Sequence, residues 1–201
     1  MATFPRTIQA FQDLLMQGQV GDAAFLRTQF IAISANPQVV SQLKNLPNHL
    51  PEINLDQLSQ LPKGTLGHEY AQHMQANNIQ PLQISPDLQQ EAKQDPFALR
   101  FTLSHDILHV LLGFDTSYAG EAGVLSFTMA QGYSFALSAY QPVLTFLYPL
   151  IFSAEGEQMR ANIHRGETLG RQANCLLAYP FEKDWARPIT DIRTELRLIL
   201  T

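Results

Sequence analysis

His105-Asp106-Ile107-Leu108-His109 lies inside the run Asp95-Pro-Phe-Ala-Leu-Arg-Phe-Thr-Leu-Ser-His-Asp-Ile-Leu-His-Val-Leu-Leu-Gly113, and the reading of that run decides the fold. Asp95 is a good helix N-cap, Pro96 suits the first helical position and Gly113 suits a left-handed stop, so the spacing predicts one helix over 96–112. On such a helix His105 and His109 stand one turn apart on the same face. Asp106 is about 100° round but still reaches His109 at the i,i+3 separation. Ile107, Leu108, Val110, Leu111 and Leu112 make the helix apolar nearly all round, which places it inside the protein. Buried imidazoles and a buried carboxylate need partners there, and a metal ion supplies them at once.

Glu121 follows and completes a set of two imidazoles and two carboxylates. The two negative charges balance a divalent cation, because a ligating His is neutral while Asp and Glu bind ionised. Mixed nitrogen and oxygen ligation suits zinc, and also iron(II) or manganese if water enlarges the shell. The bland alternative is that these polar groups cap and cross-link the helix, which the spacing of two histidines does not by itself exclude.

Composition bounds the rest. A chain of 201 residues is long enough for one compact domain with a full hydrophobic core, and the domain is expected to run over 1–201. Hydrophobic residues make up 45% and charged residues only 15%; against a usual charged share of about 25% this deficit points to an apolar ligand, a membrane surface or a homodimer interface. A net charge of -5 and a pI near 5.6 argue against nucleic acid, which calls for clustered Lys and Arg. The single Cys175 rules out an internal disulfide and fits a reducing compartment. Met-Ala-Thr-Phe-Pro-Arg at the start offers no apolar signal core, so a cytoplasmic location is expected, with peripheral contact on the inner face of a membrane.

Helical periodicity recurs along the chain. Ile8, Phe11, Leu14 and Leu15 form one stripe and Phe25, Leu26, Phe30 and Ile33 another; Asn36-Pro37 opens a short helix, and a further helix is expected from Thr65 to about Asn77. Nothing alternates in the manner of a strand, so the fold class is all-α, a single compact helical domain built around the buried central helix. The last helix is expected over 189–200, with Ile192, Leu196 and Ile199 inward and Arg193 and Arg197 outward.

Residues 122–154 contain no Asp, Glu, Lys, Arg or His. That length could span a bilayer, but Gly132, Pro142 and Pro149 divide it into two helices. Its aromatic residues Phe127, Tyr133, Phe135, Tyr140 and Phe146 could line a tunnel for a long apolar ligand, or form the core and a dimer interface. Beyond it, Arg160, His164 and Arg171 lie at helical spacings, either on a solvated face or as partners of an anionic head group.

The sequence resembles the coenzyme Q biosynthesis proteins that carry an HDxxH motif followed by a Glu, a family described as organising the quinone-synthesis enzyme complex. Leu61-Pro-Lys-Gly-Thr-Leu-Gly67 with Tyr70 is similar to the family's LPxGTLGxxY segment. Gly113 and Gly120-Glu121, then Gly170-Arg171, Leu176-Leu177, Trp185, Pro188 and Arg193, match its later pattern. The match divides the chain into N-terminal helices over 1–54 and a family-like core over 55–201. Leu125, Thr128 and Thr102 stand where many members have Lys, Glu and Arg.

The resemblance implies a divalent metal, zinc foremost, on His105, Asp106, His109 and Glu121. It implies a polyprenyl lipid or quinone precursor as ligand, with the aromatic stretch around the tail. The function implied is either oxidative decarboxylation of a prenylated hydroxybenzoate or its presentation to other quinone-biosynthesis enzymes. An HD-type phosphohydrolase could recruit His73, His105, Asp106 and Asp191 instead, but leaves His109 and Glu121 without a role. A helical metallohydrolase with Asp106 as base leaves the LPxGTLG segment unexplained, and a fully ligated structural site would make the protein a scaffold.

Overall fold

The computed structural model describes residues 18–44, 46 and 53–200, and among these the chain is all-α, with two isolated bridges and no strand. The stripe at Ile8 to Leu15 lies outside the described residues. The helices are α1 (Val20–Ala32), α2 (Pro37–Leu43), α3 (Leu55–Ser59), α4 (Leu66–Ala76), α5 (Gln89–Gln94), α6 (Pro96–Leu103), α7 (His105–Leu112), α8 (Tyr118–Ala130), α9 (Phe135–Ala139), α10 (Gln141–Phe146), α11 (Tyr148–Ile151), α12 (Gly156–Gln172) and α13 (Ile189–Glu195).

The helix expected over 96–112 is two helices meeting at Ser104. Its bracketing is as expected: the Asp95 carboxylate accepts from the Ala98 N–H at 2.9 Å, and Gly113 takes φ 67. At the junction the Ser104 hydroxyl donates to the Arg100 carbonyl at 2.7 Å, the kind of i−4 side-chain bond that bends helices. The chain therefore turns one residue before the first histidine.

α7 is the centre of the largest core cluster. Ile107, Leu108, Val110, Leu111 and Leu112 are buried against Leu66, Tyr70 and Met74 of α4, Ile189 and Ile192 of α13, and Leu176 and Phe181. The leading segment and the C-terminal segment that carry the resemblance meet here. Leu66 and Gly67 donate to the carbonyls of Arg187 and Trp185 at 2.9 and 2.8 Å, Ile189 donates to that of Gly64 at 2.8 Å, and the Tyr70 and Trp185 rings lie 5.5 Å apart. A buried apolar helix is thus clasped by two segments far apart in sequence.

The charge-free stretch does not form two helices. Gly132 takes φ 65 to end the turn after α8, and Pro142 and Pro149 start α10 and α11, so it becomes α8 followed by three short helices. No helix among the described residues is long and apolar enough to cross a membrane. Phe135, Phe146, Leu147, Leu150 and Ile151 are exposed along α9 to α11. The last helix also differs from expectation: it stops at Glu195, Arg197 takes φ 59, and this reversal buries Leu198 while Ile199 faces out.

α8 and α12 pack at backbone contact. A Cβ on Gly166 would stand 2.1 Å from the Gly123 carbonyl oxygen, and one on Gly170 would stand 2.6 Å from that of Phe127. Since the obstacle at Gly166 is main chain, Gly166→Ala must push α12 off α8, an overpacking cost of about 1–3 kcal/mol. For a chain of this size the melting temperature should fall by roughly 2–4 °C per kcal/mol. Thermal denaturation of the variant checks this, and an unchanged melt would show that the two helices can separate freely.

Candidate metal centre

His105 and His109 project from α7 as the periodicity requires, and Glu121 comes from the first turn of α8. The loop between these helices holds the carboxylate over the imidazoles. The Gly113 and Phe114 N–H groups both donate to the His109 carbonyl, at 2.9 and 3.2 Å. The Asp115 carboxylate accepts from the Ser117 N–H at 3.1 Å, and the Ser117 hydroxyl caps α8 by accepting from the Gly120 N–H at 3.1 Å. Gly120 is required at that position, since a Cβ would stand 2.0 Å from the Asp115 carbonyl oxygen.

Three ligand side chains converge as a result. His105 Nε2 and His109 Nε2 are 3.3 Å apart, Glu121 Oε2 is 3.3 Å from the first and Glu121 Oε1 is 3.2 Å from the second. His109 Nδ1 lies 3.3 Å from the Phe114 carbonyl, which can only accept, so the ring proton sits on Nδ1 and the Nε2 lone pair faces the cluster. For metal–ligand bonds of about 2.0–2.1 Å, the edges of a tetrahedron are about 3.3–3.4 Å, so the two imidazole nitrogens stand one such edge apart, with a different oxygen of Glu121 beside each. Two imidazole lone pairs and a carboxylate repel at that distance unless a cation stands between them. The residues present therefore fit a divalent metal, while the triad does not choose which one.

The electrostatics agree. Burial opposes a charged His109, but the Glu121 carboxylate outweighs it and raises the histidine above its ordinary value. Burial likewise opposes an ionised Glu121, yet without a metal the protonated imidazoles of His105 and His109 donate to it and hold it well below the usual carboxylate range.

Asp106, expected as a fourth ligand, is not among the converging atoms. Its position one residue on from His105 turns it toward α4, where it raises the pKa of Tyr70 after burial, the larger cause, and where its own carboxyl is pushed up by burial. Of the expected tail-binding residues, Phe127 and Tyr133 are fully buried in the core, with the Leu177 N–H donating to the Tyr133 hydroxyl at 3.2 Å. Phe135, Tyr140 and Phe146 are exposed. Arg160, His164 and Arg171 line the exposed face of α12, where Arg171 pairs with Glu167 at 2.6 Å. Asp191, needed by the phosphohydrolase reading, is exposed on α13 outside the triad, whereas the two residues that reading left idle belong to it.

The contacts of three residues were not foreseen from the sequence. Arg193, expected outward, turns in and donates from Nε and Nη2 to the carbonyls of Leu111 and Val110, both at 2.9 Å. Arg165 reaches from α12 to the Leu112 carbonyl at 2.6 Å, with its guanidinium 4.5 Å from the Phe114 ring centroid. His73 of α4 lies parallel to His109, centroids 5.7 Å apart. Nothing in local spacing signals these, because each acts across elements. The positions where this chain lacks the family's charged residues are filled by satisfied core: the Thr102 hydroxyl donates to that of Thr28 at 3.2 Å and the Thr128 hydroxyl to the Leu125 carbonyl at 2.8 Å.

Fold and site together define an all-helical protein with a His2Glu triad on two consecutive helices that could hold a metal ion. Comparison with known proteins gives the family. The profile of the coenzyme Q (ubiquinone) biosynthesis protein Coq4 matches residues 23–201, and the chain belongs to that family. The rat mitochondrial ubiquinone biosynthesis protein COQ4 homolog is 30% identical over 177 residues, covering 86% of this chain and 64% of the rat protein. The zebrafish homolog is 29% identical over 166 residues, covering 74% of this chain and 55% of its own length. The chain thus spans less than two thirds of these relatives. A crystal structure of a protein assigned to ubiquinone biosynthesis in Nostoc punctiforme superposes with a TM-score of 0.65 at 25% identity, covering 98% of both chains.

Arg193→Met should remove both bonds to the end of α7 while leaving every ligand atom in place. Two buried carbonyls then lose their partners, a cost of about 1–3 kcal/mol each, and metal affinity should fall without being abolished. A thermal melt and a metal titration of the same variant check the two effects. Metal affinity equal to wild type in a destabilised variant would separate the clasp from the site.

Proposed function

We propose that this protein binds a polyprenylated ring precursor of ubiquinone at a divalent metal held by His105, His109 and Glu121, with Asp106 beside them. The observation that supports the reading most is the triad's one-sided exposure. The His109 side chain is 1% exposed, while those of His105 and Glu121 are 38% and 46% exposed. Three protein ligands with an open side are the layout of a site that takes an exogenous ligand, whereas structural sites are closed by four. When bound, a divalent metal supplies Lewis acidity to an oxygen of the ring head group. The chain's own residues orient the ring: the Phe114 carbonyl fixes the His109 tautomer, and the α7–α8 loop fixes Glu121.

An aromatic series supports a track for the tail. The ring pairs Tyr140–Tyr148, Tyr148–Phe152 and Phe152–Tyr118 have centroids 6.2, 5.9 and 4.6 Å apart, and Tyr118 stands one helical turn before Glu121. The series leads from the exposed apolar face of α9 to α11 toward the metal triad. On this reading the isoprenoid lies along that face, with Phe135, Tyr140 and Phe146 against it, rather than in the core with Phe127 and Tyr133. The same face seats the chain on a membrane surface or against a second copy, since apolar patches of this kind mark interaction sites. Bound there, the ring is either presented to other quinone-biosynthesis enzymes or oxidatively decarboxylated.

Burial of apolar surface contributes about 25 cal/mol per Å2, so a multi-unit tail is an adequate source of affinity even where the ring binds weakly. Titration of metal-loaded protein with prenylated 4-hydroxybenzoates of increasing length should give affinity that rises with each isoprene unit, and Phe146→Asp should weaken the longest compounds most. Equal affinity for the bare ring and the long-tailed compounds would overturn the track. Elemental analysis of protein purified without a metal-affinity tag should find about one divalent ion per chain, lost in His105→Ala and Glu121→Ala but kept in His73→Ala.

A further inference from the structure

His73 projects from the third turn of α4 beside the triad, and its Nε2 is buried without a hydrogen-bond partner. Orphaned polar atoms inside proteins are uncommon and costly, and each calls for a reason. His73 is not a core histidine satisfied by the main chain, and it is not a member of the triad, whose ligand atoms all lie within 4.8 Å of one another. Its ring is parallel to that of His109 within 21°, with centroids 5.7 Å apart, and the charges of His105, Asp106, His109 and Glu121 all act on it.

A histidine beside a metal can serve in two ways. A ligating nitrogen stands about 2.0–2.1 Å from zinc. A nitrogen bonded to a metal-bound oxygen stands further out, at up to about 5.4 Å when the two lengths are added. His73 lies outside the triad with its ring stacked on that of His109, and of the two roles the second is the one left to it. Its neighbours narrow the role further. Asp106 offers only acceptor oxygens when ionised, and Glu121 is engaged by the two histidines. An incoming oxyanion would therefore meet carboxylates on one side, and His73 is the neighbouring group with a free N–H to give.

We propose that His73 is a ligand-binding residue whose Nε2–H donates to the head-group oxygen that completes the metal's coordination. The inference rests on the ring-binding reading above and assigns it a hydrogen-bond donor outside the HDxxH motif. The structural duty of the residue is small, since its ring is only partly buried. Its contribution is specific to ligands that bring an oxygen to the metal.

The test uses Co(II)-substituted full-length protein, with binding followed by the visible absorption of the metal and by calorimetry. The probes are a prenylated 4-hydroxybenzoate and the corresponding prenylated benzene, which lacks both oxygens. In His73→Phe, Co(II) affinity should stay within about threefold of wild type, while the oxygen-bearing ligand should bind about tenfold or more weakly, the scale of a hydrogen bond to a charged group. The prenylated benzene should bind wild type and variant alike. His73→Gln, which places an amide N–H at a similar reach, should recover most of the loss, and this rescue is not expected of a residue that merely fills space. Equal binding of the oxygen-bearing ligand in wild type and His73→Phe overturns the inference while leaving the ring-binding reading intact. Loss of Co(II) from both variants overturns it in favour of a ligating or purely supporting histidine. Wild-type protein that takes Co(II) but not the oxygen-bearing ligand overturns the ring-binding reading itself, and this inference with it.

Discussion

Two imidazole nitrogens and a carboxylate are held 3.2–3.3 Å apart, and the rest of the structure is arranged around that convergence. Acceptors so placed repel unless a proton or a cation lies between them, so the backbone must impose the geometry. It does so by removing side chains where helices need to close. Gly120 admits the Asp115 carbonyl, Gly123 admits the Phe114 ring and Gly166 admits the Gly123 carbonyl, so α8 is fixed on one side by the loop and on the other by α12. A Cβ at any of these positions would displace α8, and Glu121 with it.

The helix carrying the two histidines poses a second problem. α7 ends inside the core, and the last carbonyls of a helix have no partners within it. Gly113 and Phe114 satisfy the carbonyl of His109, while Arg193 and Arg165 satisfy those of Val110, Leu111 and Leu112. Burial lowers the pKa of both guanidinium groups, but the carbonyls they grip form the negative end of the helix dipole, which favours the cations. A third arginine, this one buried, does comparable work one helix earlier: Arg100 pairs with Glu182 at 2.9 Å and donates to the carbonyls of Leu177 and Tyr179, tying α6 to the C-terminal segment. Charged residues are scarce in this sequence, and several of the few arginines it has are spent on main-chain carbonyls rather than on solvent.

What could be read from the sequence follows from that division. The Asp95 cap, the Gly113 stop and the shared face of His105 and His109 depend on neighbours within four residues, so spacing alone predicts them. Glu121 was legible because a five-residue loop leaves little choice of where α8 can start. The Ser104 bend was not legible, since a serine in a helix turns back on its own carbonyl only in some settings. Arg193 was read outward from periodicity over 189–200, but the helix stops at Glu195, and the pull of α7's carbonyls decided its direction. The aromatic run suffered the same ambiguity: composition does not distinguish Tyr133, whose hydroxyl is satisfied in the core, from Phe146, which is exposed. His73 lies on a helix well upstream in sequence, and only tertiary packing brings its ring against His109.

The uneven exposure of the triad constrains how any ligand can approach. His109 is enclosed by α7's own apolar neighbours and stacked upon by His73. His105 and Glu121 are both partly exposed, and Glu121 lies in the first turn of α8, where Tyr118 stacks on Phe152. The Glu155 carboxylate accepts from the Ala119 N–H at 3.0 Å, which binds the end of the short-helix region to that same turn. The apolar face and the open side of the triad are thus joined by a fixed corner rather than by a free loop. In the proposed reading a ligand with an oxygen-bearing ring and a long apolar tail meets both surfaces at once, each held in register with the other. A ligand lacking either part would engage only half of the arrangement.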